Sequence, residues 1–297
     1  VSKERKICLF AGFDQTNAIQ DYVVYYLKEL SKLADIYYLA DCPMPQKELD
    51  KLSGITKGAY AFRHGKYDFG SWQELIKRVT WEEIGKYDQL IFANDSCYGP
   101  IFPFQDMFVK MESQNVDFWG ITKNTAFNFH LQSYFLVFTK KIFCSEKFRL
   151  FIDGVAQQKT FLDVVRTYEV RLTQMLIEEG FSVGVYADES GNRNLALYPL
   201  RSMAMYRVPL IKVKCFLPKF NHFKEWYPSL KKMIKTRTTY DYGYIEKHLI
   251  SKGINLYENE VLLWFQQPVL RWIYRAKVTK NGRKIVKIFG VPIYIGK

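Results

Sequence analysis

The chain has 297 residues, 48% hydrophobic and 17% aromatic, enough to pack a core, so wholesale disorder is excluded. Its net charge of +13 is unevenly placed: residues 201–297 carry 20 Lys/Arg and 5 Asp/Glu, a balance of +15, while residues 1–200 are close to neutral. No apolar run approaches the roughly 20 residues of a membrane span, and the five scattered cysteines form no CxxC pair, so neither a zinc site nor a disulfide framework is indicated.

The charge step places a functional boundary near residue 200: a first domain over 1–200 and a basic, aromatic-rich region over 201–297. Free cysteines fit a reducing cytoplasm. The opening Val-Ser-Lys-Glu-Arg-Lys leads into only a short apolar run, so no secretory leader is expected.

In chain order, Lys6 to Phe13 reads as a strand ending at a glycine. Ile19 to Leu33 has apolar residues at helical spacing, and Asp35 to Ala40 is a second strand. Strand, helix and strand of this length argue for a parallel crossover. Gln46 to Leu52 is a short helix, and Gly54 to Phe62 leads into a third strand. The stretch Arg63-His-Gly-Lys-Tyr-Asp-Phe-Gly-Ser-Trp then reads as a loop before a helix from about Gln73 to Val79. Its glycines permit close approach to a ligand, and the helix N-terminus favours an anion. The spacing is neither GxGxxG nor a P-loop.

Gln89 to Ala93 is a short buried strand that stops at Asn94-Asp95-Ser96, with Gly99-Pro100 forcing a turn just beyond. A carboxylate at the C-terminal end of such a strand is where open α/β sheets place ligand chemistry. An Asx residue starting a turn is the alternative, and from these residues alone both readings of Asp95 stand. Phe104 to Glu112 is an amphipathic helix, and Asp117 to Thr122 a strand. Phe129 to Phe138 reads as one strand, with His130, Gln132 and Tyr134 on one face toward a polar cleft or toward water. Lys147 to Val155 is helical. Phe161 to Glu179 is a long helix stopped by Gly180, and a strand follows from Phe181. Beyond 200, helices are expected at Phe223 to Ile234, Ile245 to Ser251, Asn259 to Phe265 and after Pro268, with a hairpin over Lys284 to Ile295.

Four ordered motifs carry a resemblance: Arg63 to Trp72, Tyr87 to Pro100, Asp117 to Thr122 and His130 to Phe135. Together they resemble the rhamnan synthesis protein F family, glycosyltransferases of bacterial cell-surface polysaccharide, over roughly residues 5–200. The resemblance implies an α/β, GT-A-like, Rossmann-type nucleotide-sugar domain with a mainly parallel sheet, followed by the basic, mostly helical appendage. It implies donor contacts from Arg63, His64, Gly65, Asp68, Asn94, Asp95 and Ser96, and acceptor-side contacts from Asp117, His130 and Gln132. Gly180 lies eleven residues after Glu169, which puts Glu169 where many inverting GT-A enzymes keep their catalytic base. Without the resemblance Glu169 reads as a solvated helix carboxylate. Tyr168 stands where a second acid is usual, and Asn94-Asp95-Ser96 where many have Asp-x-Asp. Asp95 is then the expected ligand of a divalent Mg or Mn ion, a thin set unless diphosphate oxygens and water complete it.

The activity implied is transfer of rhamnose from dTDP-rhamnose to a lipid-linked glycan acceptor, with galactofuranose from its UDP form as the alternative. The basic tail, with Trp226, Trp264 and Trp272 among lysines, suits an anionic membrane surface, hence a peripheral position at the inner face of the plasma membrane. A small helical core with a solvated basic skin is the alternative. A non-catalytic glycan- or nucleic-acid-binding protein is a reading of another class. Nucleic acid is disfavoured because acidic strand tips repel phosphate.

Overall fold

The computed structural model describes residues 4–191, 193–217 and 223–254, and beyond them the strands Tyr274–Val278, Lys284–Ile288 and Val291–Ile295. The strands in chain order are β1 Lys6–Gly12, β2 Asp35–Ala40, β3 Gly58–Ala61, β4 Gln89–Asn94, β5 Cys97–Tyr98, β6 Phe118–Gly120, β7 Lys123–Asn124, β8 His130–Leu131, β9 Phe135–Thr139, β10 Val183–Val185 and β11 Ile211–Lys212. The last three described strands are β12 to β14.

Seven of these strands form one sheet in the order β10-β6-β9-β4-β1-β2-β3. Its β4-β1-β2-β3 half is parallel, and β6 runs parallel to β10. Only β9 is reversed, lying antiparallel to both β4 and β6. The expected α/β class with a mainly parallel sheet is therefore the observed one. Strands β1 and β4 are buried at every position, as their near-continuous apolar runs require of strands covered on both faces.

One face is covered by the Asp21–Leu30 and Phe104–Glu112 helices, the other by the Tyr67–Val79 helix. Trp72 of that last helix stacks on Phe92 of β4 at 4.6 Å between ring centroids, and its indole N–H donates to the Ala93 carbonyl at 3.2 Å. This pins the helix to the strand that ends at the Asn-Asp-Ser motif.

The expected helix start at Gln73 is corrected to Tyr67. The stretch read as a loop is the helix's first turns, with Phe69 and Trp72 continuing the apolar stripe of Leu75, Ile76 and Val79. Gly70 misleads because its role is packing: a Cβ there would lie 2.2 Å from Lys66 Cβ and 2.8 Å from His64 Nδ1. The single strand expected over Phe129 to Phe138 is corrected to two, β8 and β9. They separate at Ser133, whose backbone N–H bonds a side chain, Glu169, instead of a neighbouring strand.

Residues on both sides of position 200 share one core. Strand β11 pairs antiparallel with β5. Leu210, Phe216, Tyr227, Leu230, Ile234, Tyr242 and Leu249 are buried in the same cluster as Phe10, Tyr26 and Phe104. The Gly243–Ser251 helix contributes His248, whose Nδ1 lies 2.7 Å from the Tyr98 hydroxyl. Burial holds that imidazole neutral by lowering its pKa to about 4. Several basic residues of this region also have acidic partners: Lys247 with Asp21, Arg207 with Asp106 and Arg201 with Glu189. Strands β12, β13 and β14 form an antiparallel sheet of their own, β13 and β14 being the expected hairpin. The helices expected at Asn259 to Phe265 and after Pro268, with Trp264 and Trp272, lie outside the described residues.

Candidate active site

Strands β1, β2 and β4 end level with one another, with Gly12 paired to Ala40 and Ala11 to Asn94. The ladder continues one step past the tips, through Asp41 N–H to the Gly12 carbonyl at 2.9 Å and Asp95 N–H to the Ala11 carbonyl at 3.2 Å. This register sets Phe13, Asp41 and Asp95 side by side at the C-terminal edge of the parallel strands, the position at which open α/β sheets bind ligands.

A cleft of about 560 Å³ opens there, lined among others by Phe13, Asp41, Arg63, His64, Gly65 and Asp68. Asp41 organises its floor. Its Oδ1 accepts the backbone N–H groups of His64 at 2.7 Å and Gly65 at 2.8 Å, and Gly65 takes the left-handed φ of +69° that a glycine allows. His64 Nδ1 accepts the Lys66 N–H at 3.1 Å, so the neutral ring carries its proton on Nε2 and donates it to the Ser71 hydroxyl at 2.9 Å. Burial lowers the His64 pKa despite the neighbouring Asp41. Asp41, His64 and Ser71 are therefore a loop brace: the hydroxyl faces a donor and not a base.

The Asn94-Asp95-Ser96 motif stands at the tip of β4 and is tied to the cleft through Asp68. The Asn94 amide N–H donates to Asp68 Oδ2 at 2.7 Å, and its Oδ1 accepts the Ser96 hydroxyl at 2.5 Å. Asp95 Oδ2 accepts the Phe13 N–H at 2.6 Å. Lys212 of β11 donates to the Ser96 hydroxyl at 2.9 Å and lies 4.3 Å from the centre of the Tyr134 ring. Burial, with the charges of Asp68 and Asp14, pushes the Asp95 carboxyl up to about 8. Burial likewise raises Asp68 to about 6, against the pull of Lys212 and the Asn94 hydrogen bond. Near neutral pH Asp95 is thus mainly a protonated acid, able to donate a hydrogen bond.

Glu169 is expected at a helix start, but it lies inside a continuous helical run. A π-helical turn, Val165–Val170, interrupts it between Phe161–Val164 and Arg171–Glu178, and such turns are frequent at functional sites. Nor is Glu169 solvated. Its Oε2 accepts the Ser133 N–H at 2.8 Å and the Ser133 hydroxyl, and its Oε1 lies 3.3 Å from His130 Nε2. Burial pushes this carboxyl up, but His130 and Ser133 outweigh it and hold it below the usual carboxylate range. Its negative charge adds an upward pull on the pKa of Asp68 and of Lys214. Tyr168 is a strut, its hydroxyl donating to the Ala156 carbonyl at 2.9 Å and accepting the Ala156 N–H at 2.8 Å.

The three residues expected on the acceptor side are placed differently. Asp117 precedes β6 at the opposite end of the sheet from Asp95, where it accepts the Ser182 N–H and hydroxyl at 2.8 Å each and pairs with Lys141 at 3.1 Å. It is a structural clamp. Gln132 is buried, its Oε1 accepting the Thr122 hydroxyl at 2.8 Å. His130 is fully buried, its Nδ1–H donating to the Asn128 carbonyl at 2.8 Å, and it faces Glu169 instead of the open cleft. The residues not foreseen are Asp41, Ser133 and Lys212. Asp41 follows a buried strand just as Asp95 does, so the same strand-tip rule finds it. Lys212 reaches the motif only through the β11–β5 pairing.

A divalent ion was expected at Asp95. Among the described residues no group of three His, Cys, Asp or Glu side chains is arranged to hold one. Asp95 and Asp68 alone do not make a preformed site for an ion that takes six or more oxygens.

Residues 38–282 match the rhamnan synthesis protein F family. The chain belongs to that family. A curated relative, the uncharacterised protein y4gN of Sinorhizobium fredii, is 28% identical over 165 residues, which is 54% of this chain and 43% of y4gN. The chain thus spans less than half the length of that relative. Among solved structures, the glycosyltransferase GlyE of Streptococcus pneumoniae TIGR4 is 14% identical, covering 85% of this chain and 64% of GlyE at a TM-score of 0.45. The core-mannan synthase A of Aspergillus fumigatus, solved in a Mn/GDP form, is 11% identical, covering 62% of this chain and 73% of the synthase at a TM-score of 0.36.

The strand-tip carboxyls of this rhamnan synthesis F chain yield a stability prediction. Asp95 binds its proton more tightly folded than unfolded, so it contributes stability that is lost as pH rises from about 4 toward about 8. Asp95→Asn keeps a neutral side chain at every pH. Its melting temperature should exceed that of the wild type by a few degrees at pH 8, with the gap closing toward pH 4. A variant that melts below the wild type at pH 8 contradicts the burial of this carboxyl.

Proposed function

We propose that the chain is a glycosyltransferase of GT-A-like architecture, transferring a sugar from a nucleoside-diphosphate donor to a glycan hydroxyl. The observation that carries this reading is the placing of Asp41 and Asp95 at the parallel strand tips with Asp68 bonded to Asn94 beside them, Asp41 and Asp68 lining one cleft, in a rhamnan synthesis F chain. In this reading Arg63, His64, Gly65 and Asp68, which line the cleft, hold the donor, and Asn94, Asp95 and Ser96 stand next to them at the strand tip. Rhamnose from dTDP-rhamnose is the donor that the family's name favours, and a lipid-linked saccharide the acceptor.

The reaction breaks the bond between the anomeric carbon and a phosphate oxygen, and the electron pair leaves with the nucleoside diphosphate. An acceptor hydroxyl forms the new bond and gives up its proton to a carboxylate. Glu169 is the base in this account, ionised at neutral pH and fixed by Ser133 and His130. Protonated Asp95 donates a hydrogen bond to the departing oxyanion without repelling it. Inversion at the anomeric carbon follows from a single displacement.

The experiment is Glu169→Gln assayed with dTDP-rhamnose and UDP-galactofuranose. Donor binding should survive, while turnover falls by roughly 10² or more, the scale of general-base loss. Near-normal turnover removes Glu169 from the chemistry.

Peripheral membrane binding belongs to the same proposal. None of the helices among the described residues is long and apolar enough to cross a membrane. Tyr227, Tyr240 and Tyr242 are core residues, so what favours a surface is the region's charge, not these aromatics. Co-sedimentation should require anionic vesicles and weaken as salt is raised. Equal recovery with neutral and anionic vesicles contradicts it.

A further inference from the structure

The basic C-terminal third and the acidic motif meet at one point. Strand β11 pairs with β5 through Lys212 and Cys97, and the Val213 N–H donates to the Ser96 carbonyl at 2.9 Å. That short ladder delivers Lys212 to the strand tips, where its ammonium donates to the Ser96 hydroxyl. Through Ser96 and Asn94 it connects to Asp68, which lines the cleft. Lys214 stands in the next turn, Val213–Phe216. Neither lysine forms an ion pair with a described residue, whereas Lys247, Arg207 and Arg201 all do.

Lys212 is thus held at the strand tips near the half-buried Asp68, on which it pulls, and its charge also lowers the pKa of Lys214. Lys212 is partly buried over an aromatic ring, and Lys214 is exposed. A phosphate group suits them, because ammonium groups are strong donors to phosphate oxygens.

We propose that Lys212 and Lys214 form the diphosphate subsite of the cleft and neutralise the leaving nucleoside diphosphate in place of a divalent cation. This rests on the glycosyltransferase reading. It adds that the basic region is part of the active site and that donor binding is independent of metal. As the glycosidic phosphate bond breaks, the electron pair moves to the β-phosphate oxygen, and the two ammonium groups balance the charge that develops there.

The test is titration calorimetry with UDP and dTDP in EDTA, repeated with Mn²⁺. The wild type should bind one of them in EDTA, with little gain from Mn²⁺. Lys214→Ala, an exposed change, and Lys212→Ala should each weaken binding roughly 10-fold or more, the scale of a charged hydrogen bond. Lys212→Arg keeps the charge and should retain most of the affinity, which separates lost charge from a damaged fold. Wild-type binding that appears only with Mn²⁺, or unchanged affinity in both alanine variants, overturns the proposal. Absence of binding to either nucleotide with or without Mn²⁺ overturns the glycosyltransferase reading beneath it as well.

Discussion

Everything at this site depends on one side-chain amide. Asn94 ends a strand buried at every position, and its two polar ends are committed in opposite directions, to Asp68 and to Ser96. A buried carboxyl without such a partner costs several kcal/mol of desolvation, which is why native proteins supply one. The amide lets Asp68 sit on a helix and Ser96 on a turn while both point at the same strand tip. An aspartate in its place could accept from Ser96 but would add a third acid beside the half-buried Asp68 and Asp95. The Asn-Asp-Ser order thus follows from electrostatics.

The second constraint is the packing that brings distant segments to that tip. Trp72 fixes the Tyr67–Val79 helix against β4, and with it Asp68. The turn after β5 is fixed by Gly99, whose φ of +144° and whose 2.4 Å gap between an added Cβ and the Pro209 carbonyl leave room for glycine alone. That close approach allows the chain near 210 to lie against residues 97–101, and so places Lys212. His248 against Tyr98 and Tyr22 holds the Gly243–Ser251 helix to the same region. The basic third is built into the core of the first, and Lys212 is brought to the Ser96 hydroxyl as a consequence.

Much of this was legible in the sequence wherever a single periodicity governed. The bounds of β2 and of the Phe104–Glu112 helix follow directly from their apolar spacing, and β4 identified itself as a short apolar run ending in polar residues. The reading faltered where tertiary contacts overrode local pattern. Gly70 looked like a loop residue because its packing partner, His64, is invisible in a helical wheel. Alternation over His130 to Tyr134 looked like a strand face, but Ser133 leaves the ladder to bind Glu169. The π turn that inserts Glu169 has no sequence signature, and Asp117 was misplaced because a strand's two ends look alike without its direction. Lys212 lies 116 residues from Ser96, and only the fold joins them.

The central claim is that a nucleotide sugar binds across the tips of β1, β2 and β4. Hydrogen–deuterium exchange with saturating dTDP-rhamnose or UDP-galactofuranose tests it most directly, because the amides of Phe13, His64 and Gly65 are held by the carboxyls that form the site. The account predicts slowed exchange in the segments around residues 12–16, 63–70 and 94–98 with at least one of these donors. Protection confined to other segments, or none with either donor, would contradict it.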